Sequence, residues 1–255
     1  MYSEVARALV TALQLSAAAR VADLGAGTGA STQAVLAALG PDGRVVGVDP
    51  AERMVTAARQ RITDPRARFV VGDASALVTM PEAPLDAALA SSVIWLCPSL
   101  PEALAALHAA LRPGGRLGLS VPAEYLGESQ HLLSPSALRV AAALTDLRAA
   151  APSHAAQPPA PTPLPTGLGR LDAFETALAE SGFSHVAASL FSRVSPAEEQ
   201  LAWLGQPVVL SGLLGSDDPA TLERARGRLR AKLQPEIAPD FAVEQRWFLV
   251  TATRP

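Results

Sequence analysis

The chain has 255 residues, enough for one large α/β domain or two small ones; 49% of its side chains are hydrophobic but only 4% aromatic, so its core is expected to be built largely from Ala, Val and Leu. A formal net charge of -3 gives no general pull toward nucleic acid or anionic lipid, and no apolar run reaches the roughly 18 residues that span a bilayer. The single cysteine, Cys97, excludes an intramolecular disulfide and a cysteine metal cluster, and a soluble cytoplasmic protein is the default expectation.

In chain order, Val5, Leu9, Val10 and Leu13 recur at helical spacing and predict an opening helix. Glu4 and Arg7 inside that pattern suit an amphipathic helix better than a signal peptide. The stretch "RVADLG" reads as a short buried strand, and "STQAVLAAL" as a helix ending before Gly40-Pro41. "GRVVGVD" is a second strand, and "PAERMVTAARQRI" a second such helix with Pro50 in its first turn. "ARFVVGDA" gives a third strand and "LDAALASSVIWL" a fourth, followed by the helix "LPEALAALHAALRP". Pro113-Gly114-Gly115 then turns into a fifth strand, "RLGLSVP". Near-continuously apolar strands alternating with helices imply βαβ units and a parallel sheet covered on both faces.

That rhythm stops after Val121. "PSALRVAAALTDLRAA" predicts one helix, and the Pro-rich "APSHAAQPPAPTPLPTG" reads as extended chain. The pattern resumes with the helix "LDAFETALAESGF", the strand "HVAASLF", and two helical stretches, "PAEEQLAWLG" and "DDPATLERARGRLRAKL". It finishes on "QRWFLVTATR", a strand rich in aromatic and β-branched residues. The basic residues of "ERARGRLRAKL" interleave with apolar ones and with acid, which describes a solvated amphipathic helix rather than an RNA surface. The expectation is one domain over residues 1–255, with variable insertions at about 123–169, a lid over the acceptor site, and about 196–240.

Gly25, Gly27 and Gly29 follow the first strand and open a helix, where a tight turn lets backbone approach a ligand. In a dinucleotide site the pyrophosphate sits at that helix N-terminus, and Asp23 would oppose its charge; a ligand bearing an amino group and a sulfonium would welcome it. Ala30 also stands where the third glycine of the dinucleotide fingerprint belongs. Asp49 ends the second strand, where an acid can bond both ribose hydroxyls, and Asp73 ends the third, where one can accept from an adenine amine. Helix capping or turn formation is the competing structural role for both.

The linked runs "VADLGAGTG", "VVGVDPAERMV", "FVVGDASAL", "LDAALASSVIWL" and "LRPGGRLGLSVP" resemble the class I, Rossmann-like S-adenosylmethionine-dependent methyltransferases of the small-molecule biosynthetic type. The closing "RWFLVTATRP" is similar to the antiparallel seventh strand of that family. The resemblance implies an α/β fold, with a mostly parallel seven-stranded sheet, helices on both faces and an antiparallel last strand. It implies S-adenosylmethionine as cofactor and S-adenosylhomocysteine as product. Gly25, Ala26 and Gly27 would line the methionine part, with Asp23 fixing its amino group. Asp49 would take the ribose hydroxyls, Pro50 and Met54 would flank the adenine, and Asp73 with the Ala74 amide would meet its edge. Ser91 would lie near the methionine amino group and the reacting methyl.

The family needs no fixed catalytic signature, because the sulfonium is already activated and alignment suffices. Among His131, Glu124, Tyr125 and His154, His131 is the expected general base. His108 and His185 read as structural or surface residues, Cys97, Trp203 and Trp247 mainly as packing, and Trp95 equally as a wall of the pocket or as core packing. Only Glu102 follows the fourth strand as an acid, so no metal is expected. The acceptor is expected to be a small, largely apolar specialised metabolite, methylated on O, N or C by a monomer or homodimer with no nucleic-acid or membrane partner. Three alternatives remain open at this point. They are a cofactor-bound catalyst of cyclisation or rearrangement, an NAD-dependent oxidoreductase, and a non-enzymatic binding module.

Overall fold

The computed structural model describes residues 2–127, 169–196, 218–233 and 242–255, together with 146, 199, 202, 205–206, 210 and 214. Two compact units divide the chain: Met1–Ser129 with Leu164–Phe191 and Arg246–Pro255, and Gln130–Pro163 with Ser192–Gln245.

In the first unit, helix α1 (Tyr2–Leu13) buries Val5, Leu9, Val10 and Leu13, the positions its periodicity marks. Strand β1 (Arg20–Leu24), α2 (Ala30–Ala38), β2 (Arg44–Asp49), α3 (Glu52–Arg61), β3 (Ala67–Val71), β4 (Leu85–Ser91), α4 (Leu100–Ala110) and β5 (Leu111–Pro122) follow. Next come α5 (Leu171–Glu180), β6 (Ser184–Pro196) and β7 (Ala242–Thr253), the stretches of β6 from Ser192 and of β7 up to Gln245 belonging to the second unit. The sheet runs β3-β2-β1-β4-β5-β7-β6, with parallel pairing from β3 through β5 and β7 antiparallel to β5.

Alternation along each strand divides the core between the two faces of this sheet. Val21, Val45, Ala87 and Leu89 join α1, α2 and α3 through Leu9, Leu13, Val35 and Val55. Their strand neighbours Ala22, Val46, Ala88 and Ala90 join α4 and α5 through Leu104, Leu107, Phe174 and Leu178. Burial on both faces is why these strands read as unbroken apolar runs. All five parallel strands therefore end at one edge, where open α/β sheets take their ligands.

Three boundaries differ from the sequence expectation. Pro50 is an exposed bend before α3 rather than its first turn, because Ala51 is the cap. The fourth strand stops at Ser91: Ser92 turns left-handed (φ 56) and Ile94–Leu96 form a 3-10 turn instead of continuing the strand. Pro113-Gly114-Gly115 lies within β5 as a bulge, the pairing jumping from Leu85↔Leu111 to Ala87↔Arg116. The helix expected at "PSALRVAAALTDLRAA", the Pro-rich stretch and most of "PAEEQLAWLG" lie outside the described residues.

The second unit contains helix α6 (Pro219–Leu233), capped by Asp218, which accepts from the Thr221 amide at 2.9 Å. Leu222 and Ala225 of α6 cluster with Leu210 and Leu214. Arg193, with 9% of its side chain exposed, pairs with Glu199 at 2.6 Å. Among the described residues no helix is long and apolar enough to cross a membrane.

Candidate functional site

The glycine turn between β1 and α2 is pinned to the end of β2. Gly25 and Ala26 donate their amides to the Val48 carbonyl at 2.7 and 3.1 Å, and Gly27 donates to Asp49 Oδ2 at 2.9 Å. All three glycines have positive φ, 70°, 54° and 88°. Their surroundings differ. A Cβ on Gly25 would meet Val93 Cγ2 at 2.4 Å, and one on Gly29 would meet Ile62 Cδ1 at 2.5 Å, whereas one on Gly27 would meet nothing within 4 Å. Packing explains the outer two glycines; at Gly27 the empty direction is room for a ligand.

Asp23 lies beneath this turn, fully buried. Its Oδ2 accepts from Ser31 Oγ at 2.7 Å and Thr32 Oγ1 at 2.6 Å, while Oδ1 is buried with no hydrogen-bond partner. Burial pushes the carboxyl up to about 6, opposed by the Thr32 and Ser31 bonds and assisted by the charge of Asp49. A buried carboxylate oxygen without a partner is costly, and an ammonium group is the complement that would satisfy it.

Asp49 is 9% exposed, and its Oδ1 accepts from the Ala51 amide at 2.9 Å. An ionised carboxylate offers about four acceptor positions. Two are spent on the Gly27 and Ala51 amides, which leaves room for two hydroxyls. Asp23, Gly27 and Asp49 thus fit a ligand with a cationic amine at one end and a diol further along.

The structure brings Gly25, Ala26, Gly27 and Asp49 into one bonded group above Asp23. It places Asp73 and Ser91 at the same carboxyl edge, at the ends of β3 and β4. Asp73 serves as the cap of the 3-10 helix Ala74–Thr79: its Oδ1 accepts from the Ser75 amide at 2.9 Å and hydroxyl at 2.6 Å, which hold its carboxyl below the usual range. Capping is therefore a role that Asp73 demonstrably has. Ala74 is buried, Met54 is half-buried near the start of α3, and Pro50 is exposed.

His131 and His154 lie outside the described residues. His108 sits in α4, half-buried edge-on to Phe183, with its Nε2 unpaired, and His185 is exposed at the start of β6. Burial and the charge of Asp73 push the half-buried Cys97 thiol up, keeping it protonated. Trp95 stacks on Tyr125, ring centres 5.1 Å apart, across the 3-10 turns that follow β4 and β5. Among the described residues no three His, Cys, Asp or Glu side chains form a metal-binding group.

Sequence reading missed Ser31 and Thr32 as ligands of Asp23, and it missed Val93 and Ser120. The hydroxyls of "ST" in the first turn of the helix, eight and nine residues past a buried acid, were the available signal for the first pair. Ser120 carries none, because its partners are 28 and 29 residues away.

Residues 21–115 match the family described as "Methyltransferase domain". The chain is 33% identical over 227 residues to a trans-aconitate 2-methyltransferase of Deinococcus radiodurans, covering 86% of this chain and 81% of that protein. A protein of the same name from Azoarcus sp. is 38% identical over 154 residues, 60% of this chain and 59% of that one. In that alignment, and in others at 44% and 53%, the chain spans about half the length of the curated relatives it matches. Among solved structures, the YcgJ protein from Bacillus subtilis shares the fold at 16% identity, with a TM-score of 0.60 over 98% of each chain.

Proposed function

Because the chain belongs to the class I S-adenosylmethionine-dependent methyltransferases, we propose that it transfers a methyl group from S-adenosylmethionine to a small organic acceptor. The reading rests at residue level on one observation, the unpaired, buried Oδ1 of Asp23 at the end of the strand that leads into the glycine turn. Asp23 receives the ammonium of the cofactor, Gly25 to Gly27 bear on its methionyl chain, and Asp49 accepts the ribose hydroxyls. Pro50 and Met54 flank the adenine, with Asp73 and the Ala74 amide at its edge and Ser91 close to the methyl. The bound cofactor supplies an already activated methyl, so the chain's task is alignment and exclusion of water.

The name shared by the relatives supports a small organic acid as acceptor. Its carboxylate is ionised at neutral pH and needs no base before it attacks. A second reading, a planar apolar specialised metabolite, is favoured by the Trp95–Tyr125 stack and by residues 91–99 and 122–127, which contain no Lys, Arg or His. For a hydroxyl or amine acceptor, His131 is the proposed base. Acceptor choice is assigned to the segments at about 123–169 and 196–240.

The test is to incubate the purified protein and cofactor with trans-aconitate and, separately, with planar apolar phenols and quinols, followed by mass spectrometry. A product heavier than its substrate by one methylene identifies the transfer and its acceptor class. An isomer of unchanged mass replaces transfer by rearrangement. Cofactor bound but never consumed across a wide panel leaves a binding module. Normal turnover of phenols by His131→Ala removes that base.

A further inference from the structure

We propose that Ser120 is a positioning residue for the methionyl end of the cofactor site, acting through the exit turn of β4. The inference rests on the reading of Gly25 to Gly27 as the cofactor's seat.

Ser120 lies in β5 directly opposite Ser91 of β4 and is fully buried. The Ser92 amide is forked onto it, donating to Ser120 Oγ at 2.9 Å and to the Ser120 carbonyl at 3.1 Å. The same Oγ is 3.2 Å from Ser91 Oγ and 3.3 Å from Ser92 Oγ. A serine hydroxyl has one proton and two acceptor positions. With one position taken by the Ser92 amide, Ser120 can complete its bonding by donating to one neighbouring hydroxyl and accepting from the other. Its whole capacity is then spent on the residues that leave β4.

Those residues need holding. Ser92 stands at φ 56, a left-handed conformation disfavoured for any residue with a Cβ. The conformation sets the direction of Val93, whose side chain fills the space beside Gly25 so closely that a Cβ there would be 2.4 Å away. The contact chain runs from Ser120 to the Ser92 turn, then to Val93, then to the first glycine of the turn. Loss of the Ser120 hydroxyl removes one prong of the fork and the centre of the serine cluster. Ser92 is then free to relax toward extended backbone and carry Val93 off the glycine turn.

The experiment measures S-adenosylmethionine binding by calorimetry, its KM and kcat, and the thermal transition. The variants are Ser120→Ala, Ser120→Ala with Ser92→Gly, and Val93→Ala. Ser120→Ala is expected to weaken cofactor binding about tenfold, and to raise the cofactor KM more than it lowers kcat. Glycine takes φ 56 without strain, so adding Ser92→Gly should restore most of the affinity. Val93→Ala, which keeps all three serines, should weaken binding by a similar factor even where Ser120→Ala fails to fold. Wild-type affinity in Ser120→Ala or in Val93→Ala overturns the proposal. So does a double variant that binds no better than Ser120→Ala, which marks the hydroxyl as merely structural. Failure of the wild type to bind the cofactor overturns the underlying site instead.

Discussion

Burial is the first cause of the raised Asp23 carboxyl, and its consequences can be followed with pH. The group stands at about 6 in the fold against an ordinary 3.8, so the folded state holds its proton more tightly than the unfolded chain. Stability contributed by this group is complete below about pH 4 and is lost as pH rises to about 6, a cost of roughly 3 kcal/mol. A ligand ammonium reverses that cost. Cofactor affinity should therefore rise with pH through about 6 and level off above 7, falling up to about tenfold per pH unit below. Calorimetry in buffers of different ionisation enthalpy checks this, because binding near pH 5.5 should release a proton.

The glycines separate packing from ligand space in the same way. Gly25→Ala drives a methyl into Val93 and should cost about 1–3 kcal/mol of stability. Gly27→Ala meets open space and should cost about 1 kcal/mol, for its left-handed backbone, while abolishing cofactor binding. Thermal melts beside binding isotherms distinguish the two. The placement of Asp23, Asp49 and the glycine run was legible in the sequence because strand ends and a tight turn are local features. Val93 and Ser120 were not, since their importance comes from pairing across β4 and β5 and from a φ value that no residue name announces.

At the scale of elements, Arg254 closes the C-terminus of α4. Its guanidinium donates to the carbonyls of His108 at 3.0 Å and Ala109 at 3.1 Å and also to that of Leu111. The first two are carbonyls of the last turn that the helix itself leaves unpaired, and the positive charge suits that end of the helix dipole. Arg254→Ala should cost about 1–3 kcal/mol, lowering Tm by roughly 2–10 °C for a protein of this size. Cofactor affinity measured on the same sample should stay unchanged, because α4 ends away from the carboxyl edge of the sheet. Element identity was readable from periodicity, as in α1 and β1 to β5. Boundaries were less so: "VIWL" is apolar enough to prolong β4 on paper, and only the turn at Ser92 stops it.

For the molecule as a whole, cofactor at about 100 times its Kd should add roughly 2.7 kcal/mol, a rise in Tm of about 5–10 °C. The rise should vanish in Asp49→Ala, which lacks the carboxylate that accepts from the Gly27 amide and is proposed to accept from the ribose. The parallel half of the sheet was legible because each βαβ unit repeats one pattern, whereas the variable segments follow no period that a reader can extend. One topological detail bears on how the protein is made. Strand β7 is later in the chain than β6 yet lies between β5 and β6. During synthesis from the amino end, β6 emerges before the neighbour it must pair with exists. The nascent sheet therefore waits with the rim of β5 uncovered, and a ribosome that stalls between the two strands leaves an adhesive intermediate for chaperones to guard.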